Sequence, residues 1–342
     1  MYIVDFRLNR VAIILAAGVS SRMNTKLPKV LHEVCGRPML AYVLDACRDV
    51  GVEKIFVVVG YGKEEIIERF KDDGDIVFVE QAEQKGTGHA VMCCREHLEG
   101  FSGQTLILCG DGPLIRSETL KTLTAKHASE MSAATLATTI MEDPTGYGRI
   151  IRDSYGNIQG IVEENDCDER QRLVKEVNPA YYCFNTPVLL EAIDKITPDN
   201  AKNEYYLTDA LHITIASGHK VVAVTAVAAE DAMGVNDRGQ LSRASKIMQS
   251  RIQEKLMSGG VTIVDPPNTW IDARAEIGQD TVIEPFTYIR GRVKIGRDSY
   301  IGPGSALIAP LEMKDGSHVR PGMVVGQEDV KDLEKRKTGG ND

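Results

Sequence analysis

The chain has 342 residues, room for about two domains at a soft ~150 residues each, and that length excludes a small module framed by disulfides. A formal net charge of −9 offers no general attraction to nucleic acid or to an anionic membrane, so any anionic ligand has to be held by a local cluster. With 43% hydrophobic and 26% charged residues the composition is globular and excludes wholesale disorder.

At the start, Arg7 and Arg10 precede the apolar run VAIILAAG, which has the outline of a secretion signal. Asp5, the shortness of the run and the basic, Ser-rich stretch after it (SSRMNTKLPK) favour a strand feeding a phosphate-binding loop instead. No uncharged run approaches the ~18 residues of a membrane span, the longest being near Met131 to Met141. No membrane association is therefore expected. VAIILAA, KIFVVVG (54–60), DIVFVE (75–80) and TLILCG (105–110) are continuous apolar runs of strand length, as strands covered on both faces require. Amphipathic stretches from Met39 to Val50 and from Lys63 to Phe70 separate them. This β-α-β-α order predicts an α/β fold with a parallel, doubly wound sheet and ligands at the carboxyl ends of its strands.

After residue 131 the rhythm changes. YGRII, YGN and IQGIVEE read as a hairpin; VNPAYYCF follows as a strand, then helices near 187–195 and 207–217, an insertion suited to form the second wall of a cleft. From 237 to 257 the apolar residues Leu241, Ala244, Ile247, Met248, Ile252, Leu256 and Met257 fall at helical spacing and end at Gly259 and Gly260, which reads as a connecting arm. Beyond it Ile271, Ile277, Ile283, Ile289, Ile295, Ile301 and Leu307 recur every six residues, with small or β-branched residues four positions on from the first six. Hexapeptide periodicity is the signature of a parallel β-helix. The expected domains are 1–235, a helical linker at 236–260, the hexapeptide β-helix at 261–326 and a charged tail at 327–342. The seven cysteines are odd in number, show no C-x-x-C spacing and sit in apolar stretches, so buried free thiols and a reducing, cytoplasmic setting are expected.

Chemistry concentrates in LAAGVSSRMNTKLPKVL (15–31). A strand ending in small residues lets backbone N–H groups approach a nucleotide, while Arg22 and Lys29 supply positive charge for phosphate oxygens. There is no G-x-G-x-x-G after this strand and no G-x-x-x-x-G-K-[ST], which argues against a nicotinamide enzyme or a P-loop ATPase. LAAG…SRM…LPKVLHEVCGRPM resembles the opening signature of the sugar-nucleotidyltransferases. QAEQKGTGHA (81–90), CGDGPLI (109–115), DPTGYGRI (143–150), EYYLTD (204–209), GVNDR (234–238) and the hexapeptide repeat are together similar to the GlmU-type N-acetylglucosamine-1-phosphate uridylyltransferases, over about residues 11–310.

The resemblance implies a Rossmann-like, GT-A-like transferase domain followed by a short left-handed parallel β-helix. It implies that Leu15, Ala16, Ala17, Gly18, Gln81, Gly86 and Thr87 contact the uridine nucleotide, and that Cys109, Gly110, Gly148, Glu163 and Asn178 contact the acetamido sugar. Asp111 and Asn236 would hold Mg²⁺, with Arg22 and Lys29 acting on the phosphates. Physically, an amide such as Gln81 can both donate and accept along a uracil edge, and Asp111 closes an apolar strand where a metal bound to substrate phosphates would lie. His89 is expected to pack or start a helix, because the attacking phosphate is already ionised and needs no base. Tyr205, Thr208 and Asp209 are expected to support the site without direct chemistry, and Asn236 could also cap a helix.

The expected substrates are UTP and N-acetylglucosamine-1-phosphate, the expected products UDP-N-acetylglucosamine, a cell-wall precursor, and pyrophosphate. The β-helix implies a homotrimer. Ser20 stands where the family has Gly, Cys109 where Tyr is common, and Pro179-Ala180 where a pair such as Thr-Gly is common; base and sugar specificity could shift accordingly. The hexapeptide stretch carries none of the acetyltransferase motifs of longer relatives, so that second activity is expected to be absent. A transferase of other specificity, a hexapeptide acyltransferase and a non-catalytic subunit are the competing readings.

Overall fold

The computed structural model describes residues 9–19 and 21–326; Ser20 and the expected tail at 327–342 lie outside the described residues. Contacts divide the described chain into two compact units. The first takes residues up to His32 together with Met39–Gln240; the second takes Glu33–Pro38 and the residues from Leu241 onward.

In chain order the elements up to the connecting arm are β1 (Arg10–Leu15), the hairpin β2 (Glu33–Val34) and β3 (Arg37–Pro38), α1 (Met39–Arg48), β4 (Lys54–Val59), α2 (Lys63–Phe70), β5 (Ile76–Glu80), α3 (Thr87–Met92), α4 (Arg95–Leu98), β6 (Gln104–Cys109), α5 (Ser117–Ser129), β7 (Ala134–Ile140), β8 (Gly148–Arg152), β9 (Ile158–Val162), β10 (Glu176–Asn185), α6 (Thr186–Ile193), α7 (Thr208–Ala216), β11 (Val221–Thr225) and α8 (Arg238–Ser258). The first unit is built on a nine-stranded sheet in the order β11-β7-β10-β6-β1-β4-β5, with β8 on β10 and β9 on β8. Ile13, Ile14, Ile55, Val57, Ile107 and Leu108 are wholly buried, because helices cover both faces of this sheet and each strand position meets a core. The strand order reverses beside β1, whose neighbours are β4 and β6. Residues at the carboxyl ends of β1 and β6, Leu15 and Cys109, thus stand at the switch point where α/β sheets bind ligands.

One expectation needs correction: the sheet is mixed, not parallel throughout. β10 runs antiparallel to β6, β7 and β8. No crossover helix separates β7 from β10; the chain passes instead through the β8–β9 hairpin, and without a crossover it returns in the opposite direction. The register of β10 on β7 slips between Val177 and Tyr181. At this bulge Val177 and Asn178 pair with Arg149 and Gly148 of β8, which directs Asn178 toward the hairpin. The helix start expected at the GTG turn is α3, whereas α4, α5 and β11 were not anticipated; the apolar stretch near Met131 to Met141 is β7.

The second unit contains eleven short strands between Thr262 and Val325, stacked in parallel on three faces. Tyr288 lies opposite Ala306 and Ala306 opposite Val324, so one coil takes 18 residues, three hexapeptides. This is consistent with a short left-handed β-helix. Ile271, Ile283, Ile289, Ile301 and Leu307 are wholly buried along its axis. Thr281 and Ser299 stand buried at the corners, where both hydroxyls donate to Gly296 O, at 2.9 and 3.1 Å. Glycine follows Ile at 278, 296 and 302 for a steric reason: a Cβ at Gly278 would stand 2.6 Å from Arg297 N, and one at Gly302 2.7 Å from Pro321 N, on the next coil.

The arm is helical as its spacing predicts. Ala244 and Met248 are buried, Ile252 and Leu256 pack against the β-helix core, and Met257 is exposed. Two buried glutamines were not anticipated. Gln249 Oε1 accepts from Ile271 N at 3.0 Å while its Nε2 donates to Ile271 O, and Gln253 Nε2 donates to Thr269 O at 2.7 Å. All seven cysteines are free; five are buried, and Cys93 and Cys109 are half-buried. Among the described residues no helix is long and apolar enough to cross a membrane.

Candidate active site

A cleft of about 270 Å³ opens at the carboxyl ends of β1 and β6. Its walls bring together Leu15, Ala16, Ala17 and Gly18 from the end of β1, Lys29, Gln81, then Gly86 and Thr87 at the start of α3, and Cys109 and Asp111 after β6. The small residues after β1 are held by backbone: Ala16 N donates to Val58 O at 2.9 Å, and Gly110 N donates to Leu15 O at 2.9 Å. Gly110 itself is buried behind the wall and lines neither this cleft nor its neighbour.

A second cleft, of about 140 Å³, adjoins the first and shares Leu15, Thr87 and Cys109 with it. Gly148, Glu163 and Asn178 line it. They converge because a Cβ on Gly148 would lie 3.5 Å from Glu163 Oε2 and 3.7 Å from Asn178 Cβ. Asn178 is braced on both sides: its Nδ2 donates to Tyr182 Oη at 2.6 Å, and its Oδ1 accepts from Ala180 N at 3.0 Å. That second bond steadies Ala180 at φ 65, a left-handed conformation that favours glycine. Burial raises the Glu163 carboxyl above its ordinary range, against the opposing hydrogen bond from Thr208 Oγ1 at 3.2 Å. Burial pushes the Cys109 thiol up to about 12, with Asp111 adding to the shift. This thiol stays protonated at neutral pH and acts as a small apolar surface.

Lys29, Asp111 and Asn236 form one cluster although 125 residues separate the last two. The Lys29 ammonium pairs with Asp111 Oδ2 and donates to Asn236 Oδ1 at 2.9 Å. Val235 N donates to Asp111 O at 2.9 Å, which ties the GVN segment to the end of β6. The cap of α8 is Asp237, whose Oδ1 accepts from Gln240 N at 2.8 Å, and Gln240 Oε1 in turn accepts from Asn236 N at 2.6 Å. Asn236 is therefore not the cap, and its side-chain oxygen faces the cation. Among the described residues no group of three or more His, Cys, Asp or Glu could hold a metal. The oxygen pair of Asp111 and Asn236 is nevertheless a hard donor set that already shares one cation, and it suits an ion completing its shell with phosphate and water.

Arg22 stands apart. It lies in the short turn Ser21–Met23, exposed, and lines neither cleft. The EYYLTD segment straps the start of α3: Tyr205 N donates to Lys85 O at 2.8 Å, Gly88 N to Tyr205 O at 2.7 Å, and Leu207 N to Thr87 Oγ1 at 3.0 Å. Gly86 takes φ 109 and passes so close to Tyr205 that a Cβ would stand 2.9 Å from its N. The helix start thus makes its bonds to this strap, and the N–H of Gly88 is not open to a ligand. Residues that sequence reasoning left out of the site include Gln84 and Glu204 in the first cleft, and Tyr147, Ala180 and Tyr182 in the second. Gln84, Glu204 and Tyr147 belong to motifs already singled out; Tyr182 carries no signal of its own.

Residues 12–200 match the family model of the MobA-like NTP transferase domain, and residues 274–309 that of the bacterial transferase hexapeptide with six repeats. The chain is 46% identical over 275 residues to the bifunctional protein GlmU of Listeria monocytogenes serotype 4b (strain CLIP80459), covering 80% of this chain and 60% of the relative. It is 49% identical over 273 residues to the protein of the same name from Caldanaerobacter subterraneus subsp. tengcongensis, covering 80% and 59%. The chain therefore spans about 60% of the length of these curated relatives. A crystal structure of UDP-glucose pyrophosphorylase complexed with UDP-glucose superposes with a TM-score of 0.58 at 18% identity, covering 71% of this chain and 99% of that one, a likeness of fold.

Proposed function

The chain belongs to the MobA-like NTP transferase family, and from that premise we propose that it is a uridylyltransferase that makes UDP-N-acetylglucosamine and pyrophosphate from UTP and N-acetylglucosamine-1-phosphate. The observation that carries this reading is the pair of adjoining clefts with shared walls at Leu15, Thr87 and Cys109 and with the Lys29–Asp111 pair lining the first. One cleft takes the nucleotide, the other the sugar, and their phosphates meet beside the charged cluster.

In the reaction a phosphate oxygen of the sugar phosphate forms a bond to the α-phosphorus of UTP. The bond from that phosphorus to the bridging oxygen of the leaving group breaks, and the electron pair departs with pyrophosphate. The nucleophile is already ionised, so no residue needs to act as base. Leu15, Ala16, Ala17 and Gly18 carry the nucleotide along the strand end, and Gly148, Glu163 and Asn178 orient the sugar. Lys29 offsets the charge gathered on the phosphates, and Arg22, exposed outside both clefts, would have to swing in from its turn to add to it. Asp111 and Asn236 would hold Mg²⁺, which when bound supplies charge neutralisation at the phosphate oxygens.

Pyrophosphate release across a matrix of nucleoside triphosphates and sugar-1-phosphates with Mg²⁺ tests the reading. A dominant UTP and N-acetylglucosamine-1-phosphate cell is expected. A different dominant cell moves the specificity, and silence in every cell with turnover of acetyl-CoA moves the activity to the β-helix. The β-helix unit serves assembly as a homotrimer: Tyr288, Ile308 and Val324 stand 41%, 39% and 62% exposed on one of its faces, an apolar strip that second copies can cover. Light scattering at micromolar concentration checks this, and a monomer overturns it. The seven free thiols suit the cytoplasm.

A further inference from the structure

Gln81 is buried, 3% exposed, in the wall of the first cleft. Its Nε2 donates to Gly86 O at 3.0 Å and lies 3.1 Å from His89 Nδ1. A carbonyl can only accept, so the contact with Gly86 fixes which end of the amide points inward. The amide nitrogen has two hydrogens. With one on Gly86 O, the other meets His89 Nδ1, which must present its lone pair and leave the ring proton on Nε2. Both donor hydrogens of Gln81 are engaged inside the protein. Among the described residues Oε1 has no hydrogen-bond partner, and it is the polar atom the side chain has left for the cleft. The expectation that Gln81 both donates to and accepts from a base therefore changes: toward a ligand this amide accepts only.

We propose that His89 is a positioning residue that, through Nδ1, holds the Gln81 amide in an accept-only orientation and so sets which bases the nucleotide cleft admits. The inference rests on the uridylyltransferase reading. Uracil offers an N3–H donor to a lone acceptor. Cytosine has the same ring size but an unprotonated N3 at that position, so Oε1 would face another acceptor with no hydrogen between them, and two groups would be desolvated without a bond. His89 touches neither reacting phosphate nor base in this arrangement, and its ring stands beside Tyr205 at 6.2 Å between centroids, on the strap that holds the start of α3.

The test measures kcat/KM for UTP and for CTP in the full chain, its His89→Leu variant and its His89→Asn variant. The ratio of the two constants within one preparation does not depend on the fraction folded. With leucine the acceptor is lost and one amide hydrogen is freed to turn toward the base. The UTP-over-CTP ratio is expected to fall roughly tenfold or more, carried by a higher KM for UTP with kcat within about threefold. With asparagine, whose Oδ1 can accept in place of Nδ1, the ratio is expected to return most of the way. A ratio unmoved by leucine overturns the proposal, and so does an equal fall in both variants, which would assign His89 a packing role. A wild-type chain without preference for UTP overturns the uridylyltransferase reading and this inference together; a UTP-preferring wild type with an unmoved leucine variant overturns the inference alone.

Discussion

The two units build their interiors by opposite rules. In the β-helix an aliphatic residue, most often Ile, recurs every six positions, and each lies opposite the aliphatic of the next coil, Ile271 on Ile289, Ile283 on Ile301 and Ile289 on Leu307. In the transferase unit nothing repeats: the first cleft joins positions from Leu15 to Glu204, and Asn236 is tied to its wall through Lys29. Periodicity makes a unit stable and legible. Chemistry sits where the chain is aperiodic, because a site needs several different groups at one point.

The largest effect expected from breaking this contrast is on the aperiodic side. Asp111→Ala should cut pyrophosphate release by about 10²–10⁴-fold while the thermal melt stays near wild type, since the side chain is bound to the cluster and not to the core. Normal turnover at ordinary Mg²⁺ would remove Asp111 from the metal site. On the periodic side Ile301→Ala should lower the stability of the β-helix by about 2–5 kcal/mol, read as a shift of one denaturant transition with turnover at low temperature unchanged.

Glu163→Gln is expected to raise KM for the sugar phosphate about tenfold at neutral pH. Because burial raises this carboxyl, the wild type should begin to lose sugar affinity on acidification before an ordinary carboxylate would protonate, and the glutamine variant should lack that limb. The stability effect has the opposite sense. The folded state holds the Glu163 proton to higher pH than the unfolded chain, so this group's contribution falls as pH rises through the raised pKa, and the variant should be no less stable than wild type at neutrality. A less stable variant would mean that Thr208 relies on the charged form. The smallest effect is at Ala180, held at φ 65: Ala180→Gly should stabilise the first unit by about 0.5–1 kcal/mol, seen as a higher denaturant midpoint at constant slope.

Much of this architecture is readable from the chain because it rests on local rules. Continuous apolar runs mark β1, β4, β5 and β6; the amphipathic stretch from Lys63 to Phe70 is α2 residue for residue; the hexapeptide column runs to Val325. What escaped reading depends on partners that only the fold brings together. The reversed direction of β10 follows from the topology around it, not from its composition, which is as apolar as a parallel strand's. Asp237, the residue directly before α8, caps it, while the Asn236 oxygen is taken by Lys29, 207 residues earlier. The accept-only state of Gln81 depends on a carbonyl five residues on and a ring nitrogen eight residues on, both brought in by the turn at Gly86. The residue types of the site are visible in sequence, whereas their hydrogen-bonding polarity is a product of the fold.

The Gln249 amide, whose oxygen meets Ile271 N and whose nitrogen meets Ile271 O, offers the same donor and acceptor pair as a peptide group. Ile271 stands on the outer edge of the first coil, where a neighbouring strand would otherwise bond. A side chain here impersonates the backbone of a further coil, and on this face the edge residue is already bonded when a foreign strand arrives. The stack therefore has a direction. Coils can be gained or lost on the side away from α8 without disturbing its seal, so this junction tolerates β-helices of many lengths.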